Sequence, residues 1–118
     1  MNYYFEFQPK SDYLLVNARF DIVSDNSKIM DDLFEQVLKH SSSNILLNLT
    51  DVSVIDSLGL GKLLKFFQRT KQNHKKMVLF GLNNQIKYLF HITQLEAIMS
   101  IDETEETSAL KLKGMNLG

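Results

Sequence analysis

The chain has 118 residues, 44% of them hydrophobic and 23% charged, a composition suited to one globular domain that buries roughly 65% of its unfolded surface without metal or disulfide support. It has no cysteine, which excludes disulfides, thiol catalysis and thiolate metal sites and fits a reducing cytoplasm. A formal net charge of −1 gives no overall attraction to nucleic acid or anionic lipid, Met1 to Lys10 has no apolar signal core, and no run approaches the ~20 apolar residues of a membrane span. A cytoplasmic protein with no membrane insertion and no nucleic-acid partner is therefore expected.

Tyr3, Phe5 and Phe7 alternate with polar neighbours over Asn2 to Gln8, and after a turn at Pro9 to Asp12 a second β-like run covers Tyr13 to Arg19. The two read as a hairpin. Asp25 or Asn26 can cap a helix running to about His40, with Ile29, Leu33, Val37 and Leu38 at helical spacing; Ser41 to Ser43 ends it. Asn44 to Leu49 is the near-continuous apolar strand of a sheet centre, and Val52 to Ile55 carries the apolar run onward. There follows Asp56-Ser57-Leu58-Gly59-Leu60-Gly61, the start of a helix reaching about Gln72. Leu60, Leu63, Leu64 and Phe67 form its buried stripe, with Leu58, Lys62, Lys65 and Arg69 outward.

Met77 to Leu82 reads as a further buried strand, Asn83 or Asn84 as the cap of a short helix containing Ile86, Leu89 and Phe90, and Ala97 to Ile101 as the last strand. Thr104 to Lys113 is a final helix, with Glu105 and Glu106 early and Lys111 and Lys113 late, matching the dipole at both ends. The pattern predicts an α/β fold: one domain over residues 1–113, with a mixed, largely parallel sheet after an N-terminal hairpin and about four packed helices. Residues 114–118 read as a flexible tail.

Ser57 stands at a helix N-terminus, where backbone N–H groups and the dipole favour negative charge and can accommodate a phosphate. On local sequence alone its plain reading is an N-cap worth about 1 kcal/mol, with Asp56 aiding the dipole. Gly59 and Gly61 each cost roughly 1 kcal/mol of helix propensity, which points to close approach by another backbone. The segment fits no nucleotide or hydrolase motif: Gly59-Leu60-Gly61 lacks the third glycine of a dinucleotide fingerprint, Leu63 stands where a P-loop needs Ser or Thr, and Ile55 where a nucleophile elbow needs glycine. His40, His74 and His91 are far apart without a ligand pattern. No catalysis, metal or cofactor is expected. Lys62, Lys65, Arg69, Lys71, Lys75 and Lys76 read first as a solvated basic face and turn.

The stretch Asn48-Leu49-Thr50-Asp51-Val52-Ser53-Val54-Ile55-Asp56-Ser57-Leu58-Gly59-Leu60-Gly61 resembles the strand, loop and D-S-x-G-L-G helix start of the STAS domain family, in particular of bacterial anti-sigma factor antagonists. Ile86 to Leu95 is similar to the family's segment from third helix to last strand, and Ala18-Arg19-Phe20-Asp21 is a degenerate counterpart of its G-x-L-D turn. The resemblance implies that Ser57 is the residue phosphorylated by a serine kinase that is also the anti-sigma factor. The unphosphorylated antagonist binds that kinase, phosphorylation ends binding, and a PP2C-type phosphatase restores it. Asp21 and Asp56 match acidic positions around the phosphoacceptor. Leu58 replaces the usual Ser or Thr, Ala18 a usual glycine, and Gln94 a common one.

On this reading Ser57, Leu58, Gly59, Gly61, Lys62 and Lys65 make the partner-binding face. Leu58 is its apolar anchor, the glycines admit the partner's backbone, and the lysines meet an acidic patch. The competing readings are a non-switching STAS scaffold or transporter-regulatory module, and nucleotide binding at the helix end; the expected oligomeric state is monomer or weak dimer.

Overall fold

The computed structural model describes residues 3–40 and 44–115. Strands β1 (Phe5–Pro9) and β2 (Leu14–Ala18) form the hairpin, antiparallel with Phe5 opposite Ala18 and Phe7 opposite Val16. A 3-10 turn at Ser24–Asn26 leads into α1 (Ser27–Lys39), then β3 (Asn44–Asn48), α2 (Ser57–Gln72), β4 (Lys76–Phe80) and α3 (Asn84–Ile92). A second 3-10 turn at Leu95–Ala97, the two-residue β5 (Ile101–Asp102) and α4 (Glu105–Gly114) complete the chain.

Spatial order in the sheet equals chain order, and every pairing after the hairpin is parallel. Successive right-handed crossovers advancing in one direction put their helices on one face. The core shows it: Leu14, Val16, Ile45, Leu47, Met77 and Leu79 pack with Met30 and Leu33 of α1, Leu63 and Phe66 of α2, and Ile86 and Phe90 of α3. The alternate strand residues Leu15, Leu46, Val78 and Phe80 point the other way and pack with Leu112 of α4. Both faces of the central strands are thus covered, which is why they read as continuous apolar runs. Gly81, at φ +80°, turns the chain out of β4 where a side chain would meet Thr50.

Several expectations need correction. The last strand is not Ala97 to Ile101: Ala97 ends a 3-10 turn, Ile98 is exposed, and Leu95 and Met99 are buried at helical rather than alternating spacing. In α2 the buried stripe is Gly59, Leu63, Phe66, Phe67 and Thr70, with Leu60 and Leu64 at its margin. Gly114 belongs to α4; the helix-ending Ser41 to Ser43 and residues 116–118 lie outside the described residues. Thr104 caps α4 in a capping box with Thr107.

Candidate functional site

The chain leaves β3 at Asn48 and crosses residues 49–56 before α2 begins; residues 19–26 lie beside this crossing. The two loops are joined by their backbones first. Ile22 donates to the Val54 carbonyl at 3.0 Å, its own carbonyl accepts from Asp56 at 3.1 Å, and Ile22 and Ile55 form a parallel bridge. Two aspartates then tie the loops reciprocally. Asp21 Oδ1 accepts from the amides of Ser53 at 2.9 Å and Val54 at 3.2 Å; Asp56 Oδ2 accepts from the Ser24 amide at 2.9 Å. Asn83, the cap of α3, ties in the third element by donating to the Ser53 carbonyl at 3.0 Å while accepting from Ile86.

Asp56, not Ser57, is the N-cap of α2: its Oδ1 accepts from the Gly59 amide at 2.8 Å. The Gly59 and Ser24 amides hold its carboxyl below the usual carboxylate range, because they bond the charged form. Ser57 is the first helical residue. It is exposed, and its hydroxyl has no hydrogen-bond partner among the described residues. Of the amides at the start of α2, that of Gly59 is thus taken by a carboxylate of the chain itself.

The remaining predicted residues separate. Gly59 is buried with its open flank against the Ile22 carbonyl, so the close backbone it accommodates belongs to its own chain and no partner can reach it. Gly61 is exposed, with nothing within 4 Å of where a Cβ would stand. Leu58 is 47% exposed beside Ser57. Lys62 is drawn to Asp31 of α1 at 2.6 Å. Lys65 is exposed with no ion pair among the described residues, in the shallow groove between α1 and α2 where Arg69 pairs with Glu35 at 3.6 Å and Phe34 stacks on Phe66. Lys75 turns inward to the His40 carbonyl at 2.7 Å, so the basic run is not one continuous patch.

Sequence reasoning missed Ser24 and Ile22, whose partners lie far along the chain, and treated Asn83 only as a cap. It also missed a groove of about 250 Å³ between the loop before α2 and α3, lined by Val54, Ile86, Tyr88, Leu89 and Ile92 among others. Val54 (47%), Tyr88 (65%) and Ile92 (56%) are exposed there. The signal for it was apolar residues on the outward face of a short helix whose inward face was already supplied by Ile86 and Phe90.

A family model of the STAS domain matches residues 6–108. The anti-sigma-B factor antagonist of Listeria monocytogenes is 41% identical over 59 residues, 50% of this chain and 52% of the relative, so the match spans about half that relative's length. The anti-sigma-B factor antagonist of Staphylococcus aureus is 30% identical over 77 residues, 65% of this chain and 71% of the relative. Among solved structures, an anti-sigma factor antagonist from Mycobacterium paratuberculosis superposes with a TM-score of 0.82 at 13% identity, covering 92% of each chain. The Bacillus cell fate determinant SpoIIAA in its phosphorylated form gives 0.64 at 15% identity, covering 91% of this chain and 97% of that one. With the family model spanning most of the residues and the same fold in these structures, the chain belongs to the STAS domain family.

Proposed function

We propose that this protein is a bacterial, cytoplasmic anti-sigma factor antagonist that works by partner switching: with Ser57 unmodified it binds an anti-sigma serine kinase, and phosphorylation of Ser57 ends the binding. The observation that carries the reading is the Ser57 hydroxyl itself, exposed and without a hydrogen-bond partner among the described residues at the first position of α2, on a backbone fixed by Asp21 and Asp56. The names of the Listeria and Staphylococcus relatives support the antagonist role, and SpoIIAA solved in phosphorylated form supports a switch on this fold.

In the proposed reaction the Ser57 oxygen bonds to the γ-phosphorus of the ATP held by the kinase, ADP leaves, and the hydroxyl proton passes to a base on the kinase. A PP2C-type phosphatase hydrolyses the ester. The docking face is Ser57, Leu58, Gly61 and Lys65, with Val54 extending its apolar part; Gly59 supports it from beneath, and Lys62 supplies less of its charge because Asp31 already holds it. Leu58 fills an apolar pocket of the kinase and Lys65 meets an acidic rim. A phosphate adds roughly −1.5 to −2 charges to this surface, and burying them unpaired outweighs the contacts around them.

The test is incubation with ATP and the serine kinases of the native cell extract, followed by peptide mass spectrometry, with Ser57→Ala as control. Phosphate on Ser57 that vanishes in the control is the expected result. An unmodified Ser57 in the presence of kinases active on another substrate would replace this reading with a non-switching scaffold.

A further inference from the structure

We infer that the groove between α3 and the loop before α2 is a self-association site, in which a second copy of this chain pairs across α3 to form a weak dimer. Val54, Tyr88 and Ile92 are 47%, 65% and 56% exposed and line this one groove together with the more buried Ile55, Ile86 and Leu89. Exposed apolar residues gathered in one place mark contact surfaces, whereas single ones are ordinary. Tyr3 and Tyr4 lie ahead of β1, Ile98 lines a different hollow, and Leu110 is on α4. The walls of the groove are fixed in advance. Asn83 accepts from the Ile86 amide at 2.9 Å while its Nδ2 donates to the Ser53 carbonyl at 3.0 Å, and Asp21 holds the Ser53 and Val54 amides. Little ordering is left for binding to impose.

Charge and area choose the occupant. Lys87 and His91, the basic residues of α3, are met by Glu103 at 3.1 Å and Glu96 at 2.7 Å of the same chain. The rim therefore offers a foreign partner no open charge to recognise, and it sets none against a second copy. Tyr88 and Ile92 are one turn apart on the outward face of α3, the spacing at which two helices interdigitate. A twofold axis across α3 lays the two copies antiparallel, with each Tyr88 toward the other's groove and each helix N-terminus beside a C-terminus. The open parts of Val54, Tyr88 and Ile92 come to about 300 Å², against about 800 Å² per partner in a stable complex, so the dimer is weak and forms only as concentration rises. Val54 also borders the docking face around Ser57, so dimer and kinase exclude one another; that consequence alone rests on the reading of Ser57 as the phosphoacceptor.

The test is a dilution series of the native, isotopically labelled protein from about 1 mM to about 20 µM, followed by sedimentation equilibrium and amide NMR. It needs no kinase, so a failure to find one leaves it intact. One monomer–dimer equilibrium is expected, with a dissociation constant on the order of 100 µM, and the amides of residues 53–55 and 85–92 should shift along with it. Because the seam is apolar, the constant should change less than about twofold between about 50 and 300 mM salt. Ile92→Glu, which places a carboxylate in the seam, should weaken the dimer by about tenfold or more, while Leu110→Glu, the equivalent change on α4, should leave it as it was. A protein still monomeric at about 1 mM hands the groove to a different occupant and overturns the proposal. So does a dimer that shifts other amides, dissolves in salt, survives Ile92→Glu or is lost equally in Leu110→Glu. The shifts of the native protein decide the site even if a variant does not fold.

Discussion

A methyl group added at Gly59 would run into the carbonyl of Ile22, whereas one added at Gly61 meets nothing within 4 Å. The obstacle at 59 is backbone, which cannot swing aside as a side chain can. Gly59→Ala should therefore destabilise the fold by about 2–3 kcal/mol, as overpacking does. Gly61→Ala should stabilise it by up to about 1 kcal/mol through helix propensity. Denaturant midpoints of the two variants give both values, and equal shifts would remove the distinction. In the sequence these two glycines look alike, and the approach of Ile22 separates them. Ser57 and Asp56 were legible as neighbours at a helix start, yet which of them caps α2 depended on the Ser24 amide, far upstream. Gln94 is a further case. It stands in the left-handed region at φ 60°, a conformation that costs a non-glycine residue about 1 kcal/mol, and the missing glycine there was noticed without its geometry being readable.

α4 is tied to the sheet by more than its apolar residues. The Tyr13 hydroxyl, just before β2, donates to Glu105 in the first turn of α4 at 2.5 Å. That bond, helped by partial burial, pushes the phenol up from 10.0 to about 12. A group whose folded pKa is raised contributes stability that is complete below its unfolded pKa and is lost as pH climbs through the folded one. Tyr13→Phe should thus lower stability by about 1 kcal/mol at pH 7. The gap to the native protein should close between pH 10 and about 12, and thermal melts of the pair across that range measure it. A gap that persisted at the top of the range would assign the loss to packing instead. At this scale the sequence was read well where a helix carried its own caps and charges, as α4 does with Thr104, Glu105 and Lys111. It was read poorly at β5, where two residues pair with β4 and the apolar signal before them belongs to a turn.

The whole molecule has one sheet whose strand order follows the chain, with three helices over one face and α4 over the other. Hairpin, alternation and parallel centre were all predictable from apolar periodicity; the assignment of α4 to the opposite face was not, because its sequence marks only that it is a helix. In this arrangement Ser57 is exposed at a helix start, away from the fully buried residues. Ser57→Asp should therefore leave the melting temperature within about 2 °C of the native value, since surface changes shift stability by less than about 0.5 kcal/mol. It should weaken kinase binding at least tenfold in a calorimetric titration, where unchanged affinity would count against the switch. The reciprocal ties of Asp21 and Asp56 carry one more implication. They join residues 32 positions apart in the chain, so a peptide copied from residues 50–64 lacks Asp21 and Ser24 and cannot hold the serine as the protein does. A kinase that reads this geometry passes over nascent and denatured chains, and its phosphate counts only molecules that have finished folding.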